Sequence, residues 1–302
     1  MKKETKTDNV GVGKDILKPT TGKLQYPLTN DFMFKAVLQS NQRALKGLLC
    51  ALLHVKLEEI VAIRILNPME MGGVIDDKMM MLDLKLELND SRILDIEMQV
   101  IDEGNWSERS LTYLCRAFDQ LEKGADYMEV KETIHIGILG FTPQGFPKKL
   151  YLDYYLYNLD TAHKYSDKMS IRMLQLNQLG NKADEKKWPE LYCWARLFRA
   201  QTWEEMWILA EKDETIRECV FTYKELTADE KMRMQSEARD DYYRRLNHAE
   251  ERGIRKGIEK GLERGQKETA RTLLSSVEHA MESFYLDLER ACEGLGTTVE
   301  AY

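Results

Sequence analysis

Residues 82–100 alternate apolar and polar side chains along two runs, and this alternation constrains the fold more than any other feature of the chain. Leu82, Leu84, Leu86 and Leu88 fall on one face of the first run, with Asp83, Lys85 and Glu87 on the other. In the second, Leu94, Ile96, Met98 and Val100 alternate with Asp95, Glu97 and Gln99. A period of two marks a β-strand with one buried face. Asn89-Asp90-Ser91 has turn chemistry, so residues 79–100 form a predicted β-hairpin that starts with Met79-Met80-Met81 as strand core. If those turn residues form the loop, Leu88 faces Arg92, Lys85 faces Asp95 and Asp83 faces Glu97. Carboxylates directly opposed across a strand pair destabilise it. A cation between Asp83 and Glu97 would remove that repulsion.

The flanking segments give an α/β pattern. Residues 1–24 are polar and read as a flexible tail. Leu28-Thr29-Asn30 precedes a predicted helix over residues 31–54, with Phe32, Phe34, Val37 and Leu38 as its apolar stripe. Residues 60–66 read as a strand, and Gly72-Gly73 breaks the chain before the hairpin. A helix is predicted over residues 106–124, capped by Asn105 or Ser107 and ended by Gly124. The apolar run at 133–141 suits a buried strand, and a parallel placement makes strand–helix–strand a crossover unit. Strand-like runs follow at 149–159 and 170–176. Residues 25–187 thus form one core with a mixed sheet flanked by helices. From residue 188 to about 248 the pattern is helical, with a third helix beginning near Thr227.

Residues 249–302 begin with a low-complexity repeat. Gly253, Gly257, Gly261 and Gly265 recur every four residues, each of the first three followed by Ile254, Ile258 or Leu262. Each glycine costs a helix about 1 kcal/mol relative to alanine. Two readings stand: close helix–helix contact that makes a homo-oligomer, or a charged, partly helical tail.

Composition narrows the function. The formal net charge of −7 is unlike that of most nucleic-acid binders, which neutralise phosphates with basic residues. A nuclease would need local basic clusters or bound metal ions. Cys50, Cys115, Cys193, Cys219 and Cys292 are scattered and odd in number, without a CxxC pair, which argues against a zinc site or disulfide framework and for a reducing cytoplasm. The start, MKKETKTDNVGVGKD, has no apolar core and does not read as a signal peptide. No apolar run approaches the roughly 20 residues of a membrane span. The five histidines have no ligand-like spacing, and His135 between Ile134 and Ile136 reads as structural. No Ser/His/Asp or Cys/His set can be assembled, and no Gly-rich phosphate loop follows a strand.

Chemistry therefore rests on the hairpin. Asp83, Glu97 and Gln99 share one sheet face, and two carboxylates on adjacent strands can hold Mg²⁺ or Mn²⁺ through oxygen. Alternation alone favours a hairpin with one solvated face. On that reading Lys85–Asp95 is a cross-strand ion pair, Glu87 and Asp95 are surface acids, and Asp76 and Asp77 are loop acids.

The pattern Asp…Glu-x-Gln on a hairpin followed by a helix resembles the PD-(D/E)xK nucleases, and in particular their recombination-promoting nuclease (Rpn) and transposase branch. PLTNDFMFKAVL at 27–38 is similar to that branch's helix entry. DDKMMMLDLKLEL at 76–88 and ILDIEMQ at 93–99 are similar to its catalytic strands, ERSLTYLCRAFDQLEKGADY at 108–127 to its next helix, and IHIGILGF at 134–141 to its next strand. The resemblance spans residues 25–270 and implies a restriction-endonuclease-like core, plus a C-terminal helical region, that hydrolyses DNA phosphodiesters with Mg²⁺ or Mn²⁺ and promotes recombination. Asp83 and Glu97 would be metal ligands, Asp31 would complete the metal site, and Gln99 would stand where the family has lysine. Lys85, two residues from Asp83, is then a candidate for the missing charge. Arg109, Tyr113 and Arg116 share a helix face. They are candidates for contact with a substrate phosphate, Arg109 and Tyr113 foremost and Arg109 nearest the site, against salt bridging of the arginines to Glu108, Asp119 or Glu122. The alternative to an enzyme is an inactive nuclease fold that serves binding or assembly.

Overall fold

The computed structural model describes residues 20–68 and 83–301. Met79-Met80-Met81, Asp76, Asp77, Leu82 and the first part of the predicted N-terminal tail lie outside the described residues. The chain divides into two compact units, Met1–Arg239 and Asp240–Tyr302.

The first unit is built on a six-stranded mixed sheet of order β1-β2-β3-β4-β6-β5. The strands are β1 (Ile63–Ile65), β2 (Leu84–Leu88), β3 (Arg92–Gln99), β4 (Glu132–Leu139), β5 (Tyr151–Tyr155) and β6 (Met169–Gln175). β2 and β3 form the predicted hairpin, with Leu88 opposite Arg92 and Lys85 opposite Asp95. Asn89 and Asp90 turn the chain with φ of 51° and 54°, a left-handed geometry that short polar side chains tolerate. β3 and β4 are parallel. They are joined through α3 (Trp106–Phe118), as the crossover reading requires.

The two sheet faces carry different cargo. The leucine-rich face of the hairpin, with Ile134, Ile136, Ile138 and Leu174, packs into the main core. That core is closed by α1 (Asp31–Ser40), α2 (Gln42–Leu53), α5 (Pro189–Arg199), α6 (Trp203–Ala210) and α7 (Glu214–Ala228). The polar face lies under α3, with a smaller cluster of Trp106, Leu139 and Met173 at its far end. A short α4 (Lys182–Lys187) leads into α5, and α8 (Glu230–Phe284) and α9 (Leu288–Gly294) complete the helices.

Several boundaries differ from the sequence reading. The helix expected over 31–54 is two helices, because Asn41 is extended at φ −133° and caps α2 by accepting from Arg43 N and Ala44 N. α3 ends at Phe118, before Gly124, and Asn105 gives no side-chain cap. α7 is a helix of its own before Thr227. Its Ile216, Cys219, Val220 and Tyr223 are buried at helical spacing. The helices of residues 188–239 share the sheet's hydrophobic core. Residues 20–24 are also held: Leu24 is buried, Lys23 bridges to Thr202 and Gly22 N donates to the Glu204 carboxylate.

The second unit has a small cluster of its own, Val277, Ala291 and Cys292. Gly253, Gly257, Gly261 and Gly265 lie in helix, and among the described residues nothing comes within 4 Å of where a Cβ would sit. Ile254, Ile258 and Leu262 are exposed. No helix among the described residues is long and apolar enough to cross a membrane.

Candidate active site

The polar face of the hairpin is buried rather than solvated. Asp95 is 2%, Glu97 7% and Gln99 8% exposed. Glu87 and Asp95 are therefore not surface acids. Glu87 is buried between the Arg64 and Lys131 side chains, whose hydrogen bonds hold its carboxyl below the usual carboxylate range. Asp95 Oδ2 accepts from His135 Nδ1 at 3.0 Å, and His135 is fully buried on the adjoining strand.

The repulsion expected between Asp83 and Glu97 falls elsewhere. Asp83 lies one residue before Leu84, whose pairing with Ile96 ends the β2–β3 ladder. Burial, then the charge of Asp95 and a hydrogen bond with its carboxyl, push the Asp83 carboxyl up to about 6, against a smaller opposing pull from Lys35. Lys35, on α1, donates from Nζ to the Asp83 carbonyl at 2.9 Å. Asn67 Nδ2 donates to the same carbonyl at 3.0 Å, while Asn67 Oδ1 accepts from Lys85 N at 2.8 Å. Asp83 is thus pinned through its backbone from two sides. Burial lowers the Lys35 ammonium from its ordinary value, and the charges of Asp83 and Asp95 partly offset this.

Glu97 is held by α3. Arg109 Nε donates to Glu97 Oε1 at 2.8 Å, and the guanidinium also reaches Glu103 at 3.4 Å. The helix lies close enough because β4 carries Gly137 opposite Glu97. A Cβ on Gly137 would lie 2.2 Å from Trp106 Cη2, so only glycine lets the indole lie on the strand. Trp106 begins α3, and Arg109 follows one turn later on the same face. Tyr113, a further turn along, stacks on His135 with ring centroids 5.8 Å apart and the Arg109 guanidinium 5.4 Å from its own centroid.

The donor chemistry of this face suits a hard cation. Among the described residues, Glu97 Oε2, Asp95 Oδ1 and Gln99 Oε1 are buried oxygens without a hydrogen-bond partner. Buried acceptors are normally satisfied, and oxygen is the ligand that Mg²⁺ and Mn²⁺ take. Gln99 Nε2 donates to the Ile101 carbonyl at 3.0 Å, which turns Oε1 the other way. Among the described residues no group of three or more His, Cys, Asp or Glu side chains is placed to hold a metal ion. That is compatible with Mg²⁺, which usually takes one or two carboxylates and fills the remaining positions with water and substrate phosphate.

A family model described as PD-(D/E)XK nuclease family transposase matches residues 28–251. The chain belongs to this family. No curated protein and no solved structure matches it. The mixed sheet, the hairpin and the crossover helix are consistent with the PD-(D/E)XK nuclease fold, and Asp83, Glu97 and Gln99 of this family member fall within the matched residues.

Within the family member the other candidates are distributed unevenly. Asp31 is buried, and its carboxylate receives Arg239 Nε at 2.9 Å on both oxygens and Nη2 at 2.5 Å on Oδ2. The structure therefore gives Asp31 an arginine partner. Lys85 is half-buried, and among the described residues it forms no ion pair, so the expected Lys85–Asp95 bridge is not made. Arg109 pairs with Glu97 and Glu103 rather than Glu108, Asp119 or Glu122. Arg116 is exposed. Lys35, Asp95 and His135 were not singled out as site residues from the sequence. Alternation in the second strand placed Asp95 on the right face, but its burial depends on α3.

Proposed function

We propose that this chain is a divalent-metal-dependent endonuclease acting on DNA. What supports the reading is a single observation: among the described residues three buried oxygens, Asp95 Oδ1, Glu97 Oε2 and Gln99 Oε1, have no hydrogen-bond partner on the polar sheet face. In this reading Asp83 and Glu97 ligate Mg²⁺ or Mn²⁺. A cation held there would supply a water of lowered pKa and charge neutralisation at the phosphate. The residues of the chain do the rest. Asp83 is presented by its fixed carbonyl, and Gln99 Oε1 orients a water without changing protonation. Arg109, with one edge on Glu97, offers its remaining donors to a phosphate oxygen. Tyr113 supports Arg109 from behind. Asp31 acts at a distance, through α1. The reading places the enzyme in the cytoplasm, in keeping with its free cysteines, and gives it a role in recombination through strand breakage. Self-association would run through the Ile254, Ile258 and Leu262 stripe.

A second reading, an inactive nuclease fold used for assembly, is favoured by the hold of Arg109 on Glu97 and by the absent lysine at 99. Nicking of supercoiled plasmid by purified protein in Mg²⁺ or Mn²⁺, beside Asp83→Ala, decides between them. Cleavage by the parent and none by the variant is expected. No cleavage by either under any divalent metal refutes the nuclease reading.

A further inference from the structure

We infer that the loop from β4 to β5, residues 140–149, is a platform for the DNA backbone, with the Lys148 and Lys149 ammonium groups on its phosphates. The inference rests on the nuclease reading and names where its substrate lies. A chain of net charge −7 needs a local surface that phosphates can approach. Residues 140–152, GFTPQGFPKKLYL, contain no acid, and Lys148 and Lys149 are exposed. Among the described residues neither lysine forms an ion pair. The other end of the sheet is the reverse. β3, β4 and β6 are parallel, so all three start there. Asp119, Glu122, Asp126, Glu129 and Asp160 are exposed in the connections that reach that end. Its bases Arg92, Lys131 and Lys164 are taken by Glu132, Glu87 and Asp167.

Geometry sets the loop beside the candidate site. Residues directly opposite on neighbouring strands share a face, and Glu97, Gly137, Met173 and Leu152 form one such row across β3, β4, β6 and β5. Gln99 and Leu139 pair in the next row of that face. β4 leaves the sheet at Gly140, whose N–H donates to the Gln99 carbonyl at 2.8 Å. Phe141 and Phe146 then pack with Leu152 against Trp106, Leu139 and Met173, which puts the loop on the face of Glu97 and Gln99. The far end of the loop is fixed by Gln175, the last residue of β6. It is fully buried, and its Nε2 donates to the Pro147 and Lys149 carbonyls at 2.8 Å each. The backbone on both sides of Lys148 is therefore held, and the two lysines reach solvent from a fixed base. β5 lies three places from β3 in the sheet, roughly 14 Å at about 4.8 Å per strand. One DNA strand advances about 3.4 Å per phosphate, so the lysines meet the backbone about four phosphates from the site.

The experiment compares four full-length proteins: the parent, Lys148→Ala with Lys149→Ala, Lys148→Arg with Lys149→Arg, and Lys123→Ala from the acidic end. Binding of a fluorescein-labelled DNA duplex is read by anisotropy in chelator, from about 50 to about 200 mM KCl. Plasmid nicking in Mg²⁺ is read beside it. All three positions are exposed, so thermal unfolding of the variants should match the parent. The slope of log affinity against log salt should be shallower by about 2 in the alanine pair, since each lost phosphate contact removes about 0.9. The loss should be equal on duplexes of unrelated sequence. The arginine pair keeps the charge and should keep the slope, as should Lys123→Ala. Nicking by the alanine pair should be slow at low DNA concentration and reach the parent's rate at saturation, because these lysines hold the substrate away from the reacting bond. An unchanged slope in the alanine pair overturns the platform, as does an equal change in Lys123→Ala or a lost slope in the arginine pair. So does a parent that binds no duplex. A parent that nicks while its alanine pair keeps the slope fails the platform alone. A parent whose binding depends on the lysines, but which never nicks with any divalent metal, fails the nuclease reading alone.

Discussion

Replacing Asp83 by asparagine should stabilise the metal-free protein at neutral pH, and the gain should disappear in acid. Burial and the neighbouring Asp95 carboxyl hold Asp83 up to about 6, against an ordinary value of 3.8. The folded chain therefore binds a proton at Asp83 more tightly than the unfolded chain does. Below about pH 4 both states are protonated there, and the full contribution to stability is present. As pH rises through 4 to 6 the unfolded chain ionises first, and the contribution is lost by the time the folded group ionises. The ceiling on that loss is about 3 kcal/mol, since each pH unit of difference is worth about 1.4 kcal/mol. Asp83 is partly exposed, so solvent screening leaves about 1–2 kcal/mol. Asparagine keeps the shape, carries no charge, and has an amide that can donate to Asp95. Urea and thermal unfolding in chelator at about pH 7.5 should show Asp83→Asn ahead by that amount, or roughly 2–8 °C in a unit of this size. At about pH 3.5 the two curves should coincide. A parent as stable as the variant at neutral pH refutes the argument, as does a gap of equal size at both pH values.

Other outcomes follow from the same geometry. Mg²⁺ at ten times its dissociation constant should stabilise the parent by about 1.4 kcal/mol and leave Asp83→Asn unmoved, which differential scanning calorimetry reads directly. Gly137→Ala should cost about 2–3 kcal/mol in denaturant unfolding, because the new methyl meets the Trp106 ring; Trp106→Leu in the same chain should recover part of it. Arg239→Met should cost about 3 kcal/mol by leaving the buried Asp31 carboxylate without its bidentate partner, and a loss below about 1 kcal/mol would mean that the clamp does not hold α1. Ile258→Glu should change unfolding free energy by less than about 0.5 kcal/mol, since the residue is exposed. The same substitution should lower the molar mass seen by light scattering, and an unchanged mass removes the stripe as a self-association surface.

Much of the fold was legible because its signals are local. Alternation, the Asn89-Asp90-Ser91 turn and the apolar run after α3 are written in neighbouring residues, and the hairpin register and the parallel crossover follow from them. α7 was equally legible, since Ile216, Cys219, Val220 and Tyr223 recur at helical spacing, but it was missed, and the helix expected near Thr227 is α8, which starts at Glu230. The break at Asn41 could also have been read from its side chain, a good N-cap residue in the middle of an apolar stripe.

The candidate site was legible only in its strand residues. Which acids on the polar face are buried depends on α3, and α3 can lie there only because Gly137 meets Trp106. Lys35 reaches Asp83 across 48 residues, His135 reaches Asp95 across 40, and Arg239 reaches Asp31 across 208. The sequence by itself determined the hairpin, its two faces and the family to which they point, because strand period and turn chemistry act between adjacent residues. The tertiary structure alone decided which charges meet. A carboxylate's partner is set by what packs against it in space, and chain spacing carries no record of that.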